Sequence, residues 1–226
     1  MKSMQPKPVV RQSIENRAAD SLREFILSGR VRPGTRLTEI ALADQIGVAR
    51  ATLRTGLHRL AGEGIVVQIP YTGWQVTELT ETDVWELWTL RAGLESLAAR
   101  LAAQSGDAPS RAAVARAYEA LLAACAKERL KQVNACDFAL HRSIVEAAGH
   151  ARLAGQYRLV EQQVRLFIAT SNTCVAEGMD DIVAQHRAVA EAVLSGDAEA
   201  AARQAWHHNE SEGMRLVAWL RRKAGH

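Results

Sequence analysis

Cysteine, proline and aromatic residues are scarce in this 226-residue chain: three Cys, five Pro and 5% Phe, Trp and Tyr. Cys125, Cys136 and Cys174 are too few and too scattered for a disulfide framework. None forms a Cys-x-x-Cys pair suited to zinc or redox work, so free thiols in a reducing compartment are expected. Five prolines beside a 48% hydrophobic fraction exclude a disordered or collagen-like chain. No apolar run approaches the ~20 residues that cross a bilayer. The opening MKSMQPKPVVRQ also lacks the apolar stretch and cleavage site of a signal peptide, so a cytoplasmic protein without a membrane partner is expected. A nucleophile elbow, a phosphate-cradling glycine loop and a glutamate placed by motif as general base are all missing, which argues against an enzyme.

Alanine, leucine, arginine and glutamate dominate instead, and these lose little conformational freedom in a helix. A mainly α protein is expected, with two domains: residues 1–79, of which 1–11 form a disordered tail, and residues 80–226. Charge divides along the same line. Residues 1–78 hold 11 Lys/Arg against 7 Asp/Glu, and the remainder holds 17 against 18, so any approach to a polyanion falls to the first part.

In that first part Ile14, Ala18, Leu22, Phe25 and Ile26 share one face at helical spacing, with Gly29 as the C-cap. After a Pro33-Gly34 turn, Thr38 suits the N-cap of a short helix and Glu39 suits its positive end. Gly47 permits a sharp turn into a third helix whose Leu53, Leu57 and Leu60 face inward. Gly56 in that helix implies close packing or local softness. Helix, glycine turn, helix is a helix-turn-helix pattern, and it leaves Arg50, Thr52 and Arg54 at the end that would enter a major groove. Arginine grips guanine or phosphate in pairs of bonds and threonine does either more weakly, although a solvated charged face would look the same. IVVQI, the Pro70–Gly73 turn and WQVTEL then read as a two-stranded wing.

The span ILSGRVRPGTRLTEIALADQIGVARATLRTGLHRLAGEGIVVQIPYTGWQV resembles the DNA-binding domain of the GntR family, with its Pro-Gly, Gly-Val, Arg-x-x-Leu-Arg and wing-glycine landmarks in order. The resemblance implies that Arg50, Thr52 and Arg54 contact DNA and that Gly73, with Thr72, brings the wing tip to the minor groove. Ala49, Thr52-Leu53 and Thr55-Gly56 depart from the family's usual residues, so the operator sequence does not transfer.

Thr80 and Asp83 form a capping box that opens a helix bearing Val84, Leu87, Trp88, Leu94, Leu97 and Ala98. Further helices follow, broken at SGDAPS, Gly149-His150, Gly178 and Ser195-Gly196-Asp197, which makes an all-α bundle. Bundle cores can hold sites built from facing helices. Asp137 and His141 lie four apart on one helix, and His186 and His208 stand in two others. One carboxylate and three imidazoles suit a divalent metal ion such as zinc, nickel, cobalt or manganese, while the same residues also read as ordinary polar helix positions.

RAGLESLAARLAA, DFALHRSIVEAAGH, QHRAVAEAVLSGD and the helix ending in His208 resemble the FCD ligand-sensing domain of FadR-type GntR regulators. That resemblance implies a metal held by Asp137, His141, His186 and His208, with His208 rather than its neighbour His207 as the last ligand. Arg91 would hold an effector carboxylate, or else pair with Glu95 four residues on. Arg165, Thr170, Ser171 and Asn172 lie along another wall, and Arg165 and Asn172 are taken as effector contacts. The function expected is a homodimeric transcription regulator, a repressor of a pseudo-palindromic operator, released when a carboxylate or sugar acid binds beside the metal. The alternatives are a metal-dependent hydrolase and a regulator that responds to the metal itself.

Overall fold

The computed structural model describes residues 13–105 and 108–225, so the expected disordered tail, residues 1–11, and the middle of the SGDAPS break lie outside the described residues. Helix α1 (Ile14–Ile26) starts at Ser13, whose hydroxyl accepts from the Asn16 amide at 3.3 Å. Ala18, Ala19, Leu22 and Ile26 are buried, whereas Ile14 and Phe25, expected on the same face, are about half exposed. The reason is the narrowness of the contact with α3 (Arg50–Gly62): a Cβ on Gly56 would stand 3.3 Å from the Ala19 backbone nitrogen. The backbones therefore meet closely and cover only a thin stripe, which answers why glycine interrupts that helix. Gly29 does not cap α1. Leu27 does, donating to the Arg23 carbonyl, and Gly29 follows at φ 80° in the turn beyond. There a Cβ would lie 3.0 Å from Leu130 and Thr173 and 3.1 Å from Asn134, so glycine is required both by conformation and by the closeness of the later helices.

Thr38 takes the extended N-cap conformation before α2 (Glu39–Ile46) but its side chain makes no capping bond, which leaves Glu39 as the feature complementing that helix end. Gly47, at φ 73°, turns the chain into α3, and Leu53, Leu57 and Leu60 are fully buried. The wing is three-stranded, not two-stranded. β2 (Val66–Ile69) and β3 (Gly73–Val76) pair antiparallel, and β1 (Arg36–Leu37) adds to the far side of β3 with Leu37 opposite Trp74. Two residues are too short to show alternation, which hid this strand from a periodicity reading.

The capping box forms as expected: the Thr80 amide donates to Asp83 at 2.8 Å and the Asp83 amide donates back to the Thr80 hydroxyl at 3.1 Å. It opens α4 (Glu81–Ser105), which packs along α9 (Ala198–Ala224). α5 (Ala108–Cys125), α6 (Leu130–Ala147), α7 (Ala151–Cys174) and α8 (Met179–Ser195) complete an all-helical bundle. Leu97, expected inward on α4, is 45% exposed because Ala98, Ala99 and Ala102 supply the buried stripe instead. The apolar cluster of the winged helix does not stop at the wing. It continues through Leu79, Val84 and Leu87 to Leu166, Phe167 and Leu216, so the two parts share buried surface.

Two glycines give opposite expectations. A Cβ on Gly213 would fall 2.2 Å from the Trp88 ring, whereas Gly93 has nothing within 4 Å. Gly213→Ala should therefore lower stability by about 1–3 kcal/mol despite its better helix propensity. Gly93→Ala should raise it by about 0.5–1 kcal/mol, both read as shifts of the thermal midpoint.

Candidate functional site

The N-terminal end of α3, where DNA contacts were expected, presents Arg50 and Arg54 to solvent, with side chains 60% and 53% exposed, and Thr52 half-buried beside them. Glu39, in the first turn of α2, holds both arginines: Arg54 donates to its two oxygens at 3.2 and 2.8 Å, and Arg50 lies 3.9 Å away. The Arg54 guanidinium holds the Glu39 carboxyl below the usual carboxylate range. The same carboxylate accepts from Trp74 Nε1 at 3.1 Å, and the buried Trp74 ring meets His58 of α3 edge-on at 4.9 Å. One carboxylate thus ties α2, α3 and the wing into a fixed geometry. At the wing tip Thr72 and the fully exposed Tyr71 stand out, and Gly73 holds φ 107°.

The bundle brings its histidines together. His141 from α6, His186 from α8 and His208 from α9 are buried, with one ring nitrogen of each lying within 4.8 Å of the others. Asp137, one turn before His141, puts Oδ1 3.1 Å from His186 Nε2 and 3.4 Å from His141 Nε2. The far nitrogens are oriented from outside: His141 Nδ1 lies 2.9 Å from Glu95 Oε2, and His186 Nδ1 lies 2.7 Å from the Ile182 carbonyl. Such partners fix the tautomer that leaves Nε2 free for a ligand role. Asn172 donates to Asp137 Oδ2 at 2.9 Å. His207 is exposed beside Glu210, so the helical register selects His208.

Whether these residues fit a metal can be judged from charge and from orphaned atoms. Arg91 has no exposed surface and pairs with Glu95 at 3.2 Å and with Glu212 at 3.3 Å. Three buried carboxylates, Glu95, Asp137 and Glu212, thus face one buried guanidinium, an excess of two negative charges. Without an ion, protons must supply the balance. Burial opposes a charged His141, but Glu95 and Asp137 outweigh it and push its pKa up to about 9. His186 is raised by Asp137 against the same desolvation, while His208 is driven well below its usual value by burial and by the other two imidazoles. Both His208 ring nitrogens are buried without a hydrogen bond, although Glu212 lies 3.4 Å from Nε2. An orphaned imidazole facing two others, in a pocket short of two positive charges, fits a divalent ion.

Of the residues expected to meet an effector, the structure places Asn172 on Asp137 and Arg91 in ion pairs with Glu95 and Glu212 beneath the imidazoles. Arg165 faces elsewhere, over the Phe138 ring at 5.6 Å and into a cleft beside α1. Buried Thr170 bonds back to the Leu166 carbonyl. Sequence reading missed Glu39, Trp74, Tyr157, Asn209 and Glu212. The signal for Glu212 was present, since it stands four residues after His208, but Glu39 reaches Arg54 only through tertiary packing.

With this geometry in place, comparison with known proteins is decisive for the family. Residues 14–76 match the model for bacterial regulatory proteins of the gntR family, and residues 86–211 match that of the FCD domain. The chain belongs to the GntR family of DNA-binding transcription regulators, in the branch with an FCD domain, and its relatives are regulators rather than enzymes. The hydrolase alternative falls with that. An HTH-type transcriptional regulator of Mycobacterium tuberculosis is 30% identical over 96% of each chain. A protein of Paenarthrobacter nicotinovorans described as a probable D-xylose utilization operon transcriptional repressor is 27% identical over 89% of this chain and 88% of its own. Among solved structures, a GntR regulator from Rhodococcus sp. RHA1 superposes with a TM-score of 0.77 at 22% identity, covering 92% of this chain and 99% of that one.

The imidazole pKa values set a pH dependence for the metal-free protein. A His141 pKa raised to about 9 adds stability that is complete below pH 6.5 and is lost as pH rises toward 9. His208, lowered, acts instead on the acid side of 6.5. In chelator-treated protein the denaturant midpoint should fall between pH 6.5 and 9; a rise across that window would contradict the charge balance described above.

Proposed function

We propose that this regulator represses transcription as a homodimer on a pseudo-palindromic operator, and that a small organic acid bound at the histidine cluster weakens its hold on DNA. The observation that carries the sensing half of this reading is the convergence of His141, His186 and His208 with Asp137 inside the bundle. In this reading residues 1–79 are the DNA-binding domain and residues 80–226 the sensing and dimerising one.

Arg50, Thr52 and Arg54 read base edges or phosphates, and Thr72 and Gly73 carry the wing to the minor groove. Glu39 pairs with Arg54 and lies 3.9 Å from Arg50 until phosphate or guanine displaces it. His141, His186, His208 and Asp137 hold a divalent ion, zinc by preference of the donor set, with nickel, cobalt or manganese as the other candidates. When bound, that ion supplies positive charge and free coordination positions for a carboxylate. The chain's own residues do the rest. Glu95 and the Ile182 carbonyl orient two imidazoles, and Asn172 orients Asp137.

The void beside the imidazoles, lined by Glu95, Ala99, His141, Ile144, Val189, Ala205 and His208, measures about 10 Å³, room for roughly one water. An organic acid must therefore displace something. Glu95 is the acid lining that void, and Glu212, which pairs with Arg91 and lies 3.4 Å from His208, is the group an entering carboxylate would compete with for either. A repressing sign agrees with the repressors among the relatives. Exposed apolar side chains on the bundle, among them Trp85, Leu159 and Met214, give a homodimer surface to bury.

Two experiments test the reading. In a mobility-shift assay on DNA flanking its own gene, Arg50→Ala and Arg54→Ala should each weaken binding by about 1–3 kcal/mol; wild-type affinity in both would remove them from the recognition surface. By elemental analysis, Asp137→Ala and His186→Ala should lose most of the divalent metal that copurifies with the wild type, and equal metal content in all three proteins would end the metal assignment.

A further inference from the structure

A second cluster of donors lies away from the histidines, where α1 meets α6 and α7. A cleft of about 200 Å³ opens there, lined by Glu24, Leu27, Ser28, Lys131, Asn134 and Arg165, with Ala135 at its base. Two of its wall groups lack the partners their burial calls for. Arg165 is half-buried, yet its hydrogen bond goes to neutral Gln162 at 3.1 Å, and among the described residues no carboxylate lies within ion-pair distance of it. Burial lowers its pKa from the usual guanidinium value, although Glu161, Glu24 and Glu63 act in the opposite direction. Asn134 is 5% exposed, and among the described residues its Nδ2 has no hydrogen-bond partner.

The orientation of that amide is determined by its neighbours. Asp137 can only accept, so Asn172 presents its nitrogen to it at 2.9 Å. The same nitrogen donates to Asn134 Oδ1 at 3.2 Å, which leaves Asn134 Nδ2 as the donor over. Adjoining the cleft, and sharing Ser28, Lys131 and Ala135 with it, is a groove of about 710 Å³ that also takes in Arg30, Arg129 and the first residues of α6. Arg129 at the N-cap of that 18-residue helix gives no side-chain cap, so its first amides add positive potential. Glu24 lines the cleft and lies 3.5 Å from Lys131, Glu128 lines the adjoining groove, and Glu161 and Glu63 also stand near enough to act on Arg165.

We propose that the junction cleft is a binding site for a small oxyanion, a carboxylate or a phosphate, held by Arg165 and Asn134 with Lys131 at the mouth. The cleft shares no lining residue with the void at the histidine cluster, to which it is joined through the Asn134–Asn172–Asp137 hydrogen bonds, and it does not depend on a metal there. Because its walls come from α1 of the winged helix and from α6 and α7 of the bundle, an anion in it bridges the two parts. It therefore gives the protein a second input to the placement of its DNA-reading helices.

Calorimetric titration of the full-length protein with inorganic phosphate and, separately, with succinate tests this. At least one should bind in the millimolar range or tighter, and which one does identifies the source of the oxyanion. Arg165→Gln should weaken it roughly tenfold or more, as expected for loss of a charge-assisted contact. Lys131→Met on the exposed rim should weaken it less, and it serves as the test if the first variant does not fold. Chelator treatment, which strips any metal from the histidine cluster, should leave the affinity unchanged. Binding of neither anion, wild-type affinity in both cleft variants, or loss of binding after chelator treatment would each overturn the proposal.

Discussion

A guanidinium with no exposed surface is tolerated in a helical bundle only when carboxylates surround it, because stripping a charge of water costs several kcal/mol that the partners must offset. Arg91 sets this constraint here. It draws in Glu95 from its own helix and Glu212 from α9. Glu95 in turn accepts from Tyr157 of α7 at 2.9 Å and from Asn209 of α9 at 2.9 Å, and it reaches His141 of α6. Four helices are thereby registered to one another by polar bonds in a core of small residues that would otherwise slide. The excess of negative charge left over lies beside the histidine cluster, and the proposed metal site rests on it.

The same packing joins the histidine cluster to the winged helix. α7 touches both. Its Tyr157 and Asn172 support the Glu95 and Asp137 carboxylates, while its Leu166 and Phe167 sit in the apolar cluster of the winged helix. Arg91 lies over the Phe167 ring at 5.2 Å, Thr173 presses on the Gly29 turn, and Gln163 stands against Gly64 before the wing. These contacts form a continuous packed wall, and a shift of α7 would have to move them together.

Much of this was legible in the sequence, and the limits have physical causes. Gly47, Leu53, Leu57 and Leu60 announced the helix-turn-helix because a sharp turn and a 3.6-residue repeat are local properties. Asp137, His141, His186 and His208 were singled out through motif resemblance, and the structure brings them together in the buried interior of the bundle. What escaped was whatever depends on which faces meet. The two-residue β1 has no period to show. Ile14 and Phe25 lie on a helical face that α3 covers only in part, and Arg165 shares a helix with Asn172 but turns to a different cleft. Arg91 satisfied its ion-pair reading, because Glu95 stands one turn along the same helix, and the second acid that completes its burial comes from 121 residues away.

The central claim is that the histidine cluster governs operator affinity through a bound acid. The most direct measurement is fluorescence-anisotropy titration of operator DNA with metal-replete wild-type protein and His186→Ala, each with and without a panel of carboxylic and sugar acids. One acid should weaken wild-type binding severalfold and leave the variant's binding unchanged. Equal weakening in both proteins, or no response of the wild type to any acid, would contradict it.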